Sequence, residues 1–250
     1  MSGLRSCREL RELELYENCV CCIEGLDGLV KLATLDLSYN RIQRMEGLGA
    51  AGLPSLRELY LANNRISAIE GLEGLDRLEV LELGSNQLRR IANLRHLGAL
   101  RELHLGRNDI DLIGEGLAGL ASLRTLGLAS NRLRSLQGVE AAVGLRELYA
   151  DHNIIDDTAP ILGLSQLHTV ELSANRLRSI QVAPLSLLEE LWLSDNPIDD
   201  AAALADVAVL PRLKTLYLSG CPFALTADYR ASVLGLAPST LVQLDADSLR

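Results

Sequence analysis

The sequence predicts an α/β solenoid: a horseshoe with a parallel sheet on its concave side, short 3₁₀ or helical segments on its convex side, and a helical C-terminal cap. Three observations predict it. A segment of the form L-x-x-L-x-L-x-x-N is complete from Leu10 to Asn18 and again from Leu56 to Asn64. Its Asn recurs at Asn18, Asn40, Asn64, Asn86, Asn108, Asn131, Asn153, Asn175 and Asn196, with Cys221 in a tenth slot, in steps of 21 to 25 residues. Hydrophobic residues make up 48% of the chain but aromatic ones only 3%, so a core of Leu, Ile and Val in like layers is required. Ten copies place the repeats over residues 1–222 and the cap over 223–250, with no room for a second domain.

Each part of the coil follows from a spacing. In L-x-L the apolar side chains alternate with period two, which makes a short strand with one face inward. Successive coils pair these strands in parallel. The chain turns sharply after each strand, and an inward Asn offers both donor and acceptor to backbone groups that the turn leaves unpaired. Stacked, these residues form a ladder, in which Cys221 is a weaker donor and signals a changed turn. The pattern then continues as x-I/L-x-x-I/L, as in Arg65–Ile69 and Arg132–Leu136. About 22 residues per coil leave little length for α-helices, so 3₁₀ turns are expected on the convex side. Asp200 to Val209 is the exception, where Ala-rich sequence favours a true helix. Arg41, Arg65, Arg89, Arg90, Arg132, Arg134, Arg176 and Arg178 fall on convex or loop positions as solvated charges.

The ends need covers, because an open solenoid edge pairs with other chains. At the C-terminus, Thr226 is expected to N-cap a helix over 227–236 whose Tyr229, Val233 and Leu236 share a face, with Pro238 as its stop. Leu241 to Leu244 then returns across the last layer. At the N-terminus the first repeat begins by Leu10, so either Arg8, Arg11 and Glu12 guard that edge or it is a contact surface.

A net charge of -9 and a pI near 5.0 disfavour a nucleic-acid backbone or an anionic membrane as the main partner. Residues 1–20 have no apolar run of the signal-peptide kind, and no stretch approaches a membrane span, so an intracellular chain with reduced thiols is expected.

Two side chains per strand face the concave side, six and four residues before each pattern Asn. The column nearer the Asn reads Glu14, Asp36, Tyr60, Glu82, His104, Gly127, Tyr149, Glu171, Trp192 and Tyr217. Its neighbour reads Glu12, Thr34, Glu58, Val80, Glu102, Thr125, Glu147, Thr169, Glu190 and Thr215. Nine of these 20 positions are carboxylates and none is Lys or Arg. Four of the chain's eight aromatic residues lie in the first column. Rings on a rigid exposed surface, ringed by acid, suit an interface anchor for a basic protein partner.

Other constellations are weaker. Cys19-Val20-Cys21-Cys22 has no second Cys or His cluster beside it and reads as filler in an apolar turn, not a metal site. His152 beside Asp151, with Ser130 and Ser173 nearby, lacks a nucleophile elbow or oxyanion device and reads as solvated polar surface, so no enzyme activity is expected. A P-loop is absent, no cofactor is called for, and the acidic column lacks EF-hand spacing for Ca²⁺.

The repeat is that of leucine-rich-repeat proteins. Within that class the chain resembles the regulatory subunit of protein phosphatase 1 of the SDS type, with 22-residue repeats. The resemblance is carried by Leu78–Asn86, Leu145–Tyr149, Leu188–Asn196 and the cap segments Tyr229–Val233 and Leu244–Ala246. It implies a non-catalytic monomeric regulator of nucleus and cytoplasm whose concave face grips the phosphatase catalytic subunit. The acidic contacts it implies are Asp36, Glu82, Glu171 and Glu190, and the aromatic ones Tyr60, Trp192 and Tyr217, with Tyr149 in the same column. His104 stands where that family tends to have Phe. The chain is also expected to lack some N-terminal repeats and an acidic leader of that family. Alternatives sharing the cap are the leucine-rich-repeat protein of the spliceosomal U2 particle and an axonemal dynein light chain, both with about half as many repeats.

Overall fold

The computed structural model describes residues 4–49 and 52–249. Ten three-residue strands begin six residues before each slot of the Asn pattern: β1 Glu12–Glu14, β2 Thr34–Asp36, β3 Glu58–Tyr60, β4 Val80–Glu82, β5 Glu102–His104, β6 Thr125–Gly127, β7 Glu147–Tyr149, β8 Thr169–Glu171, β9 Glu190–Trp192 and β10 Thr215–Tyr217. They pair in parallel and in sequence order. The middle residue of each strand is the inward one; from Leu35 to Leu216 every one of them is fully buried. The core is one continuous column under this sheet, mostly Leu, Ile and Val, with Met45, Ala142, Ala150, Cys221 and Phe223 among them.

The ladder forms as its chemistry requires. Asn64 Nδ2 donates to Leu37 O of the preceding coil at 3.0 Å and to Leu61 O of its own at 3.1 Å, while its Oδ1 accepts from Ile42 N at 2.9 Å. The same three partners recur at Asn108, through Leu83 O, Leu105 O and Leu88 N. Cys221 keeps one of them, with Sγ donating to Leu193 O at 3.3 Å. Asn18 has no preceding coil and stays exposed, bonding only Leu15 O and Tyr16 O.

One element of the turn was not legible from residue type. The residue before each Asn is left-handed in every coil, from Glu17 at φ 55 through Arg107 and His152 to Asp195 at φ 56. Gly220 at φ 79 holds that place before Cys221, so the last turn keeps the shape of the others. Each non-glycine residue here costs about 1 kcal/mol, which the bonds of the adjoining Asn offset.

The convex side is built from short 3₁₀ segments, at Val139–Ala141, Ala159–Ile161, Ala202–Val209 and Pro222–Leu225. Ala202–Val209 corrects the expectation of a true helix: it is 3₁₀ and kinked at Leu204, with φ -109 and ψ 15. Leu204 and Val207 are its two buried residues, and a three-residue turn puts both on the core side. Asp206 fixes the segment by accepting from Val182 N and Ala183 N at 2.9 and 3.1 Å. The eight arginines expected on this side are all exposed.

The C-terminal cap contains the one α-helix among the described residues, α1 Tyr229–Leu236. Thr226 is not its N-cap. Its Oγ1 donates to Phe223 O at 2.9 Å and closes the preceding 3₁₀ turn, so α1 starts three residues later. Val233 is buried, and Tyr229 and Leu236 pack on the core beside it, as their spacing predicts. Leu241–Leu244 does return across the last layer: β11 Gln243–Leu244 extends the sheet in parallel, and β12 Asp247–Ser248 folds back antiparallel to cover its edge. At the other end, Arg8, Arg11 and Glu12 are exposed and Leu13 is only partly buried. No helix among the described residues is long and apolar enough to cross a membrane.

Candidate functional site

The sheet register aligns both predicted columns. Across adjacent strands Asp36 faces Tyr60, Tyr60 faces Glu82, Glu82 faces His104, and Glu171 faces Trp192. The column closes with Trp192 opposite Tyr217. Glu190, in the second column, faces Thr169 and Thr215. All the singled-out side chains are half-buried on the solvent side of the sheet, opposite the buried leucines. Gly127 alone in the column is buried, between His104 and Tyr149.

Trp192 and Tyr217 lie in nearly parallel planes, 12° apart, with ring centroids at 4.3 Å. That is a little under the spacing of roughly 4.8 Å between neighbouring strands, so the paired backbones bring the rings into stacking range. Tyr217 is held from the other side by the Gln243 amide, which donates to its hydroxyl. Tyr60 and Tyr149 are tethered differently. Each donates its hydroxyl to the carboxylate two residues earlier, Glu58 and Glu147, at 3.2 Å. Burial, followed by the Glu147 charge, pushes the Tyr149 hydroxyl up to about 12.

Three carboxylates of the first column are not free arms. Asp36 accepts from Ser38 N at 2.7 Å, Glu82 from Gly84 N at 2.5 Å and Glu171 from Ser173 N at 2.8 Å. Side-chain spacing alone did not reveal these bonds, which curl each acid back over its own turn. At Gly84 a Cβ would sit 2.6 Å from Glu82 Oε1, so a larger residue there shifts the end of that side chain, as Ser38 and Ser173 show is tolerated at the same position beside Asp36 and Glu171. Burial raises Glu82 and Glu171 above the ordinary carboxylate range, against the lowering effect of those N–H donors. A cation arriving over them restores what burial takes away.

Between the two ends of the face lies a hollow of about 870 Å³, bounded by Glu82, His104, Arg107, Tyr149, Asp151 and His152. Arg107 corrects the picture of a surface wholly without cations. It occupies the left-handed turn position, outside the two predicted columns, and that turn brings it to the rim. His152 bonds Asp151 Oδ2 at 2.9 Å and is otherwise exposed. A further pair of rings, Tyr16 and Tyr39, sits at the N-terminal end of the same side with centroids 4.9 Å apart. Both belong to the turn after the strand, which is why column counting missed them.

Leucine rich repeat family models match residues 31–88 and 54–110. No curated protein matches the chain. Among solved structures, an internalin from Listeria monocytogenes superposes with a TM-score of 0.71 at 23% identity, covering 95% of this chain and 80% of that one. Internalin C2 of the same organism gives 0.66 at 29% identity, covering 76% and 82%. The functional domain of a third Listeria monocytogenes protein, InlJ, described as including a cysteine ladder, gives 0.74 at 22% identity. This chain covers 98% of itself in that match but only 60% of InlJ. The chain has the leucine-rich-repeat fold, and residues 31–110 carry the sequence signature of that family.

Proposed function

We propose that this protein is a non-catalytic scaffold that binds the catalytic subunit of protein phosphatase 1 across its concave face. The supporting observation is the stacked Trp192–Tyr217 pair, flanked on β8 and β9 by Glu171 and Glu190. Two rings already stacked in the free protein present a large apolar area without loss of rotamer freedom on binding. Half-buried carboxylates beside them favour a basic partner surface and repel an acidic one. Asp36, Tyr60, Glu82, His104 and Tyr149 extend the proposed contact along the sheet. The resemblance carried by Leu188–Asn196 and the cap segments supplies the identity of the partner. Nucleus and cytoplasm, where that subunit works, are the compartments this reading assigns.

The test is a pull-down from cell extract with the tagged chain, probed for the type-1 catalytic subunit. The wild-type chain retrieves it, and the Trp192→Ala, Glu190→Ala double variant does not while melting at an unchanged temperature. Wild-type bait that retrieves none removes the phosphatase assignment.

A further inference from the structure

The four exposed cysteines among the described residues, Cys7, Cys19, Cys21 and Cys22, all lie ahead of the second strand. Their exposure corrects the reading of Cys19-Val20-Cys21-Cys22 as apolar filler. The reason is the placement of its neighbours. Val20 packs on the core, its N–H donating to Asn40 Oδ1 at 2.8 Å and its carbonyl accepting from Arg41 N at 2.9 Å. Ile23 is buried on the other side. Between these two anchors the dipeptide Cys21–Cys22 is forced outward, and its two Sγ atoms stand 3.7 Å apart.

We infer that Cys21 and Cys22 form a two-point chelating site for a soft, thiophilic divalent cation of the Zn²⁺ or Cd²⁺ kind. Geometry carries this. A tetrahedral ion with Zn–S bonds of about 2.3 Å spans its two sulfurs at roughly 3.8 Å, the separation already present. A disulfide is the poorer use of the same pair. It needs Cα atoms at least about 4.4 Å apart, whereas sequence neighbours are held at about 3.8 Å. Among the described residues no group of three or more His, Cys, Asp or Glu is placed to hold a metal, so water or an external thiol completes the shell. On binding, both S–H bonds break, two S–metal bonds form and two protons leave to solvent.

The experiment is titration of the reduced full chain with Cd²⁺, read by the thiolate-to-cadmium charge-transfer absorbance and by proton release. The expected result is one equivalent bound, with two protons released per ion. Cys21→Ser or Cys22→Ser alone weakens binding at least about tenfold, because the second thiolate acts as an intramolecular ligand. Cys7→Ser leaves the titration unchanged. Serine at these exposed positions keeps the fold, which circular dichroism monitors. A charge-transfer band that persists undiminished in the Cys21→Ser, Cys22→Ser double variant overturns the assignment, as does a wild-type chain that gives no band.

Discussion

The Trp192 indole lies 4.3 Å from the Tyr217 ring, centroid to centroid, in a nearly parallel plane, with the Gln243 amide donating to the Tyr217 hydroxyl from the far side. Their strands are paired in register, so the distance is a property of the sheet before it is a property of the rings. Removing either ring therefore leaves the core untouched. Tyr217→Ala is expected to weaken partner binding by about 2 kcal/mol, the loss typical of a central aromatic anchor, while changing stability by less than about 0.5 kcal/mol. Calorimetric titration with the purified catalytic subunit, beside a thermal melt, measures both. A destabilised variant with unweakened binding contradicts the anchor role.

The Asn ladder predicts a sharp positional contrast. Asn108→Ala strips partners from Leu83 O, Leu105 O and Leu88 N in a buried turn, and is expected to cost 3 kcal/mol or more at roughly 1–3 kcal/mol per orphaned group. Asn18→Ala removes only two exposed bonds and is expected to cost less than about 0.5 kcal/mol. Urea unfolding of the two variants decides it; equal losses would show that the ladder is decoration.

Glu82 titrates with a raised folded-state pKa, chiefly because burial disfavours its charge. The native state therefore holds its proton more tightly than the unfolded chain. Stability from this group is fully present below the unfolded carboxylate range and is lost as pH rises through the folded value. Glu82→Gln, whose amide oxygen still accepts from Gly84 N, is expected to raise the melting temperature at pH 7 and to leave it unchanged near pH 3. It is also expected to weaken binding of a basic partner. Melts at the two pH values give the sign, and a variant less stable at pH 7 refutes it.

Two glycines test backbone strain against open space. Gly138 has φ 105, and a Cβ there would come within 2.2 Å of Gly114 O, whereas Gly163 has nothing within 4 Å. Gly138→Ala is expected to destabilise by about 2 kcal/mol or more, and Gly163→Ala to be neutral or slightly stabilising. Equilibrium unfolding of both separates steric need from coincidence.

In the cap, Tyr229 donates to Asp245 Oδ2 at 2.7 Å, and Asp245 Oδ1 in turn accepts from Leu218 N. Burial and that carboxylate both raise the Tyr229 hydroxyl well above its ordinary range, so it stays a donor throughout the physiological range. Tyr229→Phe is expected to cost about 1–2 kcal/mol, while Arg230→Ala, which breaks only an exposed ion pair with Asp247, is expected to cost almost nothing. Chemical denaturation compares the two.

What the sequence determined by itself is everything with a period. The L-x-L alternation placed a short strand in each of the ten coils, and the Asn spacing located the ladder. Together they fixed which side chains share the column from Glu14 to Tyr217, because a strand offers only two faces and the leucines claim one. The tertiary structure decided what depends on the neighbouring coil or on local competition for hydrogen bonds. Thr226 bonded backward to Phe223 instead of capping α1, and Leu204 and Val207 turned an Ala-rich helix into 3₁₀ to reach the core. Arg107 reached the rim of the hollow only through a left-handed turn that ten different contexts impose on residues with no common chemistry. Glu82 and Glu171 became half-buried acceptors, and Cys21 and Cys22 were pushed to the surface by the anchors beside them. A repeat states which way each side chain points; the partner it meets there comes from a residue some 20 positions away, and only stacking the coils brings the two together.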